Sequence, residues 1–227
     1  MKLSNKILIG FFGFIFIYLT AVFAEVRLRG APNVIDDSNS IAETADISGV
    51  TYLVLRDLDE TVNVIGSDEP RLELRSFTGN LLPRLKYKVS GDTLTLWDLP
   101  SDEMKKVRIS VFVSQATLKG MTINGAVATV KGLQQELLHI SQNGGRVWMF
   151  ENRIKSIHLA ASRKSYLDIS ALGLDTLSAK IDSSEVVISS PLGLLKGSMR
   201  NHSFLRMNAI EEIQFKKDST SRMNLWH

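Results

Sequence analysis

The sequence predicts an all-β protein: a single-stranded parallel β-helix or solenoid with turns of about nineteen residues, behind an N-terminal apolar segment. Three observations predict it. From about Asp46 onward the chain breaks into short segments of two-residue apolar–polar alternation, the period of a half-buried strand. In the second half, apolar residues recur in step every 18 to 20 residues. Between the recurrences stand clusters of Gly, Asn, Asp and Ser, which supply the left-handed conformations and local hydrogen bonds that tight corners need.

At the N-terminus, Lys2 and Lys6 precede residues 7–24, a run with no charge. As a helix this run rises about 27 Å, close to the thickness of a hydrocarbon core. Ile7, Phe11, Phe14, Ile17 and Ala24 are the expected membrane-spanning positions, and the membrane is the first expected partner. Two readings stand. Length favours an uncleaved anchor, because the apolar region of a signal peptide usually has about 7–15 residues. The small-residue site Val22-Phe23-Ala24 suits cleavage instead. Residues 32–46 are polar and lack a period, so they read as a tether. The expected organisation is 1–26 anchor or signal, 27–45 tether and 46–227 solenoid domain.

Beyond the tether, residues 71–75, 85–89, 93–97 and 107–113 alternate as strands. Ser90-Gly91-Asp92 places a turn between two of them and predicts a hairpin. The repeat follows. One column runs Ala128, Val147, Leu167, Val186, Leu205, Met223, and a second, two positions on, runs Val130, Met149, Ile169, Ile188, Met207, Leu225. A third is Met121, Ile140, Leu159, Ala179, Gly197, Phe215; a looser fourth is Leu133, Ile154, Leu174, Leu192, Ile210. A single turn cannot bury these side chains. Stacking turns about 4.8 Å apart pairs every strand and aligns the inward residues into files. Each inward Leu, Ile or Val then contributes about 1.5–3 kcal/mol on full burial. The competing arrangement is an antiparallel sandwich with evenly spaced strands.

Composition excludes several classes. The net charge is +3 and Lys and Arg are dispersed, so no nucleic-acid footprint is present. There is no cysteine, which removes disulfides, thiolate metal sites and a Cys nucleophile.

The search for reactive groups yields candidates without a site. His139 and His158 are nineteen residues apart and should be vertical neighbours on an outer face, but a useful metal site needs three or four ligands. Asp182 and Glu185 are the nearest approach to a catalytic carboxylate pair, with Arg163, Lys164, Lys180 and Arg200 in the region. General acid–base work needs two such groups at a fixed separation with pKa values driven apart, and both look exposed beside a corner. Neither a phosphate loop nor a nucleophile elbow occurs, and no catalytic, metal or cofactor-binding residue is expected. Trp148, Phe150, Tyr166 and Phe204 fall next to inward columns and should point outward, either as a contact surface or packed against the N-terminal strands or a neighbouring loop.

Residues Val62-Asn63-Val64-Ile65-Gly66-Ser67, Gly91-Asp92-Thr93-Leu94-Thr95-Leu96, 107–113 and Leu118-Lys119-Gly120-Met121-Thr122-Ile123-Asn124-Gly125-Ala126-Val127 carry a resemblance. Together with the Gly/Asn/Ser-cornered repeats, they make residues 46–226 similar to the bacterial "putative auto-transporter adhesin, head GIN domain" family. The chain departs from that pattern where Ser, Asp and Arg replace corner glycines. The resemblance implies a β-solenoid of the bacterial cell envelope, often of the Bacteroidetes type, and brings no catalytic residues. The expected function is a non-catalytic, adhesin-like surface for an envelope protein or polysaccharide; the alternative is a carbohydrate-active enzyme on the same scaffold. The expected location is the inner membrane with the domain in the periplasm, or outside it after signal cleavage.

Overall fold

The structure is a computed structural model and describes residues 3–29, 35, 38–99 and 107–225. The chain divides into two units, Met1–Asn39 and Ser40–His227.

Among the described residues, the first unit holds a helix, α1 (Leu3–Arg29). It has no proline to break it, and Thr20 folds its hydroxyl back onto the Phe16 carbonyl at 2.7 Å, so its polar atom needs no outside partner. Phe11, Phe14, Ile17 and Ala24 are exposed. The Ile7 side chain lies outside the described residues, which for side chains begin at Gly10. Among the described residues, no helix is long and apolar enough to cross a membrane.

Among the described residues, the second unit holds 18 strands. β1 (Ile41–Asp46) is followed by β2 (Tyr52–Arg56) and β3 (Thr61–Ser67), which form a complete rung. β4 (Arg71–Ser76), β5 (Tyr87–Ser90), β6 (Thr93–Trp97) and β7 (Val107–Ser114) come next, and β6 and β7 lie parallel to β2 and β3 on one side. The chain then crosses back. β8 (Gly120–Asn124) and β9 (Val127–Lys131) pair with the opposite sides of β2 and β3. The first rung made is therefore second in the stack.

From there the coil advances in order through β10 (Gln134–Asn143), β11 (Arg146–Ser162), β12 (Tyr166–Leu172), β13 (Thr176–Asp182), β14 (Glu185–Ile188), β15 (Leu192–Arg200), β16 (Phe204–Met207), β17 (Ile210–Lys217) and β18 (Arg222–Leu225). All pairings among these are parallel. The 17-residue β11 bends between Met149 and Asn152 and serves both sheets. Asn152 makes the bend possible: buried at the corner, it accepts from the Leu133 amide and donates to the carbonyls of Val130 and Phe150.

The first three sequence columns are the internal files. Ala128, Val147, Leu167, Val186, Leu205 and Met223 are successive register partners, and Val62 and Ile109 extend the file beyond Ala128. Val147, Leu167, Val186 and Leu205 are each 0% exposed. The fourth column slips at its start, where Ile154 pairs with Gln135 and not with Leu133.

One expectation is corrected. The tether of residues 27–45 is not uniform: α1 runs to Arg29, and Ile41–Asp46 is a strand antiparallel to β4. Residues 30–34 and 36–37 lie outside the described residues. β1 has little apolar alternation because it is an outlying strand. What fixes it is the Glu43 carboxylate, which accepts from the amides of Leu81 and Leu82 at 2.8 and 3.2 Å. The expected hairpin at Ser90-Gly91-Asp92 is present, but it belongs to an antiparallel cap of β1, β4 and β5 on a parallel coil.

Candidate functional site

Alternation around the inward files dictates what the sheet of β11, β12, β14 and β16 presents outward. On either side of Val147, Leu167, Val186 and Leu205 stand two outer files. One is Arg146, Tyr166, Glu185, Phe204; the other is Trp148, Asp168, Val187, Arg206. The preceding corners add Lys164 and His202, both in the left-handed region at φ 61° and 60°. Together Arg146, Trp148, Lys164, Tyr166, Glu185, His202 and Phe204 line a groove of about 540 Å³.

A file of buried serines holds the corners in step. Ser184 Oγ accepts from the Ser165 amide at 3.2 Å and donates to the Asp182 carbonyl at 2.8 Å. Ser203 Oγ accepts from the Ser184 amide at 3.4 Å and donates to the Arg200 carbonyl at 2.6 Å. Ser221 Oγ accepts from the Ser203 amide at 3.2 Å. Each hydroxyl thus satisfies an amide one rung back and, in Ser184 and Ser203, a carbonyl of its own corner. Where Gly144-Gly145 makes the corner, the reason is space: a Cβ on Gly145 would lie 2.0 Å from the Ala126 carbonyl oxygen.

The groove mixes aromatic faces with both signs of charge. The rings of Trp148 and Tyr166 are 6.3 Å apart, tilted by 55°, and the Arg206 guanidinium sits 5.3 Å from the Phe204 ring. Burial pushes the Tyr166 hydroxyl above its usual range, and the Asp168 and Glu185 carboxylates add to the effect. Tyr166 therefore stays neutral and able to donate a hydrogen bond.

Of the four aromatic residues expected to form a contact surface, Trp148, Tyr166 and Phe204 meet here. Phe150 also points outward, at 38% exposure, but pairs with Lys131 beside the bend and is not part of this groove. Sequence reasoning missed the contributions of Arg146, Lys164 and His202. Counting back from the inward file to the equivalent corner position would have found the last two.

Asp182 and Glu185 are not brought together as an acid–base pair. Glu185 lines the groove, while Asp182 faces a different recess with Arg200. Hydrogen bonds from Asn201, Ser183 and Arg200 hold the Asp182 carboxyl below the usual range. A carboxylate held that way is a corner fastening and a poor proton donor. Arg200 pairs with it at 2.9 Å, so that basic residue is also committed.

His139 and His158 are register partners with ring centroids 4.8 Å apart. They face a smaller groove, of about 390 Å³, with Tyr52, Ser178 and Lys180. Among the described residues no group of three or more His, Cys, Asp or Glu is placed to hold a metal.

No protein-family model matches the chain, and no curated protein does. Solved structures do. A "putative adhesin" from Bacteroides fragilis NCTC 9343 is similar over 82% of this chain and 96% of its own, with a TM-score of 0.57 at 14% identity. A "putative lipid binding protein" from Parabacteroides distasonis ATCC 8503 is similar over 84% and 98%, with a TM-score of 0.52 at 12% identity. The chain has the β-solenoid fold of these Bacteroides and Parabacteroides proteins.

Proposed function

We propose that this protein is a non-catalytic contact module of the bacterial cell envelope, tethered by its N-terminal apolar segment, which offers the Trp148–Tyr166–Phe204 groove to an envelope polysaccharide. The observation that carries the reading is three rings from three of four successive turns in one groove, interleaved with Arg146, Lys164 and Glu185. An outer face whose positions recur once per rung suits a chain that repeats too. Aromatic faces give contact area at low entropy cost, and the charged groups give direction. The likeness of the fold to that of a putative adhesin from Bacteroides fragilis supports this use of the scaffold. An envelope protein as the occupant is the other outcome.

Tethering rests on the uncharged run of residues 7–24 and on Phe11, Phe14, Phe16 and Ile17, each at least 59% exposed. Water is a poor solvent for such a surface, and lipid is a good one. N-terminal sequencing of protein recovered from membrane and soluble fractions distinguishes an anchor from a removed signal.

The binding test is a titration of the full-length chain in detergent micelles with purified envelope polysaccharides, read by tryptophan fluorescence. Trp148→Ala or Tyr166→Ala should weaken binding about tenfold, the scale of a central aromatic anchor, and Phe150→Ala should not. Binding indifferent to Trp148→Ala contradicts the groove. Turnover of the polysaccharide contradicts the non-catalytic reading.

A further inference from the structure

The two ends of the solenoid are built differently. At one end, antiparallel β1, β4 and β5 cover the rung of β6 and β7. At the other, among the described residues, β17 pairs only with β15 and β18 only with β16. The internal files run out into solvent there. Ile213 is 42% exposed although its register partner Leu195 is 0% exposed, and Leu225 is 46% exposed although its partner Met207 is 0% exposed. An eight-residue edge strand at the end of an apolar core is a template for another strand.

β17 also carries a charge order that selects its partner. It reads Ile210-Glu211-Glu212-Ile213-Gln214-Phe215-Lys216-Lys217, acidic before Gln214 and basic after it. We propose that this end of the solenoid pairs with the same end of a second copy of the chain, β17 antiparallel to β17, about a two-fold axis at Gln214. In that register Glu212 faces Lys216 of the partner subunit, Glu211 faces Lys217 of the partner subunit, and Ile213 faces Phe215 of the partner subunit. The symmetry repeats each contact, as a self-complementary interface requires.

The alternation agrees with the charge. Ile213 and Phe215 align with Leu195 and Gly197 of the internal files, so both point toward the core. Glu212 and Lys216 align with Leu194 and Ser198 and lie on the outer side. The proposed register therefore sets Ile213 against Phe215 on the core side and Glu212 against Lys216 on the outer side, with Glu211 and Lys217, which aligns with Met199, paired at the strand ends on the core side. A slip of one residue would oppose core positions to outer ones. Moving the axis to Ile213 or Phe215 would break both charge pairs. Parallel pairing in register would set like charges face to face, which is destabilising. The antiparallel dimer continues the core across the junction and covers Ile213.

The test uses the full-length chain in detergent micelles. The chain has no cysteine, so a single introduced thiol reports one position. A two-fold axis at Gln214 sets the two Gln214 Cα atoms about 4.5–5.5 Å apart, within disulfide range. Mild oxidation should convert Gln214→Cys to a covalent dimer and leave Lys196→Cys, one rung inside, as single chains. In a second measurement, chains carrying E211K with E212K, or K216E with K217E, should each sediment as one chain, and an equal mixture of the two should regain the mass of a dimer. That recovery also shows that neither variant is misfolded. The proposal is overturned if Gln214→Cys cross-links no faster than Lys196→Cys. It is equally overturned if both charge variants keep the parent's mass, as association through α1 would produce.

Discussion

Replacing Ser184 by alanine tests how the corners are held. Its hydroxyl accepts from the Ser165 amide and donates to the Asp182 carbonyl, and the side chain is 5% exposed. Alanine fits the space, so packing barely changes, but the Ser165 amide is left buried without an acceptor. An unsatisfied buried donor costs about 1–3 kcal/mol, and the lost bond to the carbonyl adds to it, so about 2–3 kcal/mol of destabilisation is expected. Ser203→Ala removes a different bond, the one from the Ser184 amide. The double variant should lose more than either single change, and because the two serines belong to one hydrogen-bonded file its cost should depart from the simple sum. The control is Ser189→Ala, whose exposed hydroxyl donates to Asp168 at 3.0 Å and should change stability by less than about 0.5 kcal/mol. Urea unfolding of the full-length chain, followed by tryptophan fluorescence at constant detergent, reads the midpoint. A Ser184→Ala midpoint indistinguishable from that of Ser189→Ala would refute the role given to the serine file.

Three further outcomes follow from the same packing. Leu167→Ala, in the middle of a file at 0% exposure, should cost about 2–5 kcal/mol in the same unfolding assay, while outward Asp168→Ala stays within about 0.5 kcal/mol. Gly145→Ala should cost about 3 kcal/mol or more, because its Cβ meets the Ala126 carbonyl oxygen at 2.0 Å on a backbone with φ 80°. For pH, the Asp218 carboxyl is held far below its usual range, first by the Asn201 amide and then by Ser221, and Asp182 is lowered as well. A folded-state pKa below the unfolded value of about 3.9 contributes stability above that value and loses it as pH falls through the folded one. The unfolding midpoint should therefore drop below about pH 4, and Asp182→Asn with Asp218→Asn should lower it at pH 7 while flattening the acid limb.

Much of the coil was legible because burial imposes a local rule. An inward file needs an apolar residue once per turn, so Val147, Leu167, Val186 and Leu205 announce their shared fate. The outward direction of Trp148 and Tyr166 follows from the same alternation. The crossover was not legible, because alternation fixes which side of a strand is buried and leaves its hydrogen-bond partner open. Val62 satisfies the same pattern whether it stands first in the stack or between Ile109 and Ala128. β1 was hidden for a different reason: a carboxylate, Glu43, fixes it in place of an apolar stripe. Gln142 is a third case. It stands in an internal file between Ile123 and Ala161 at 1% exposure, and donates to the carbonyls of Gly145 and Tyr166. Its polarity would have assigned it to the surface.

Distances between paired spin labels on the outer file of the other sheet test the stacking itself. Thr95, Val54, Thr122, Ser141, Ala160, Lys180 and Ser198 are successive register partners. At about 4.8 Å per rung, a label at Ser198 should lie about 19 Å from Thr122, about 24 Å from Val54 and about 29 Å from Thr95. Cysteine pairs at these sites, diluted with unlabelled chain and measured by pulsed dipolar spectroscopy, should give separations rising in that order by one equal step. Separations that follow sequence order, with Thr95 nearer to Ser198 than Val54 is, or that do not rise evenly, would contradict the solenoid and its crossover.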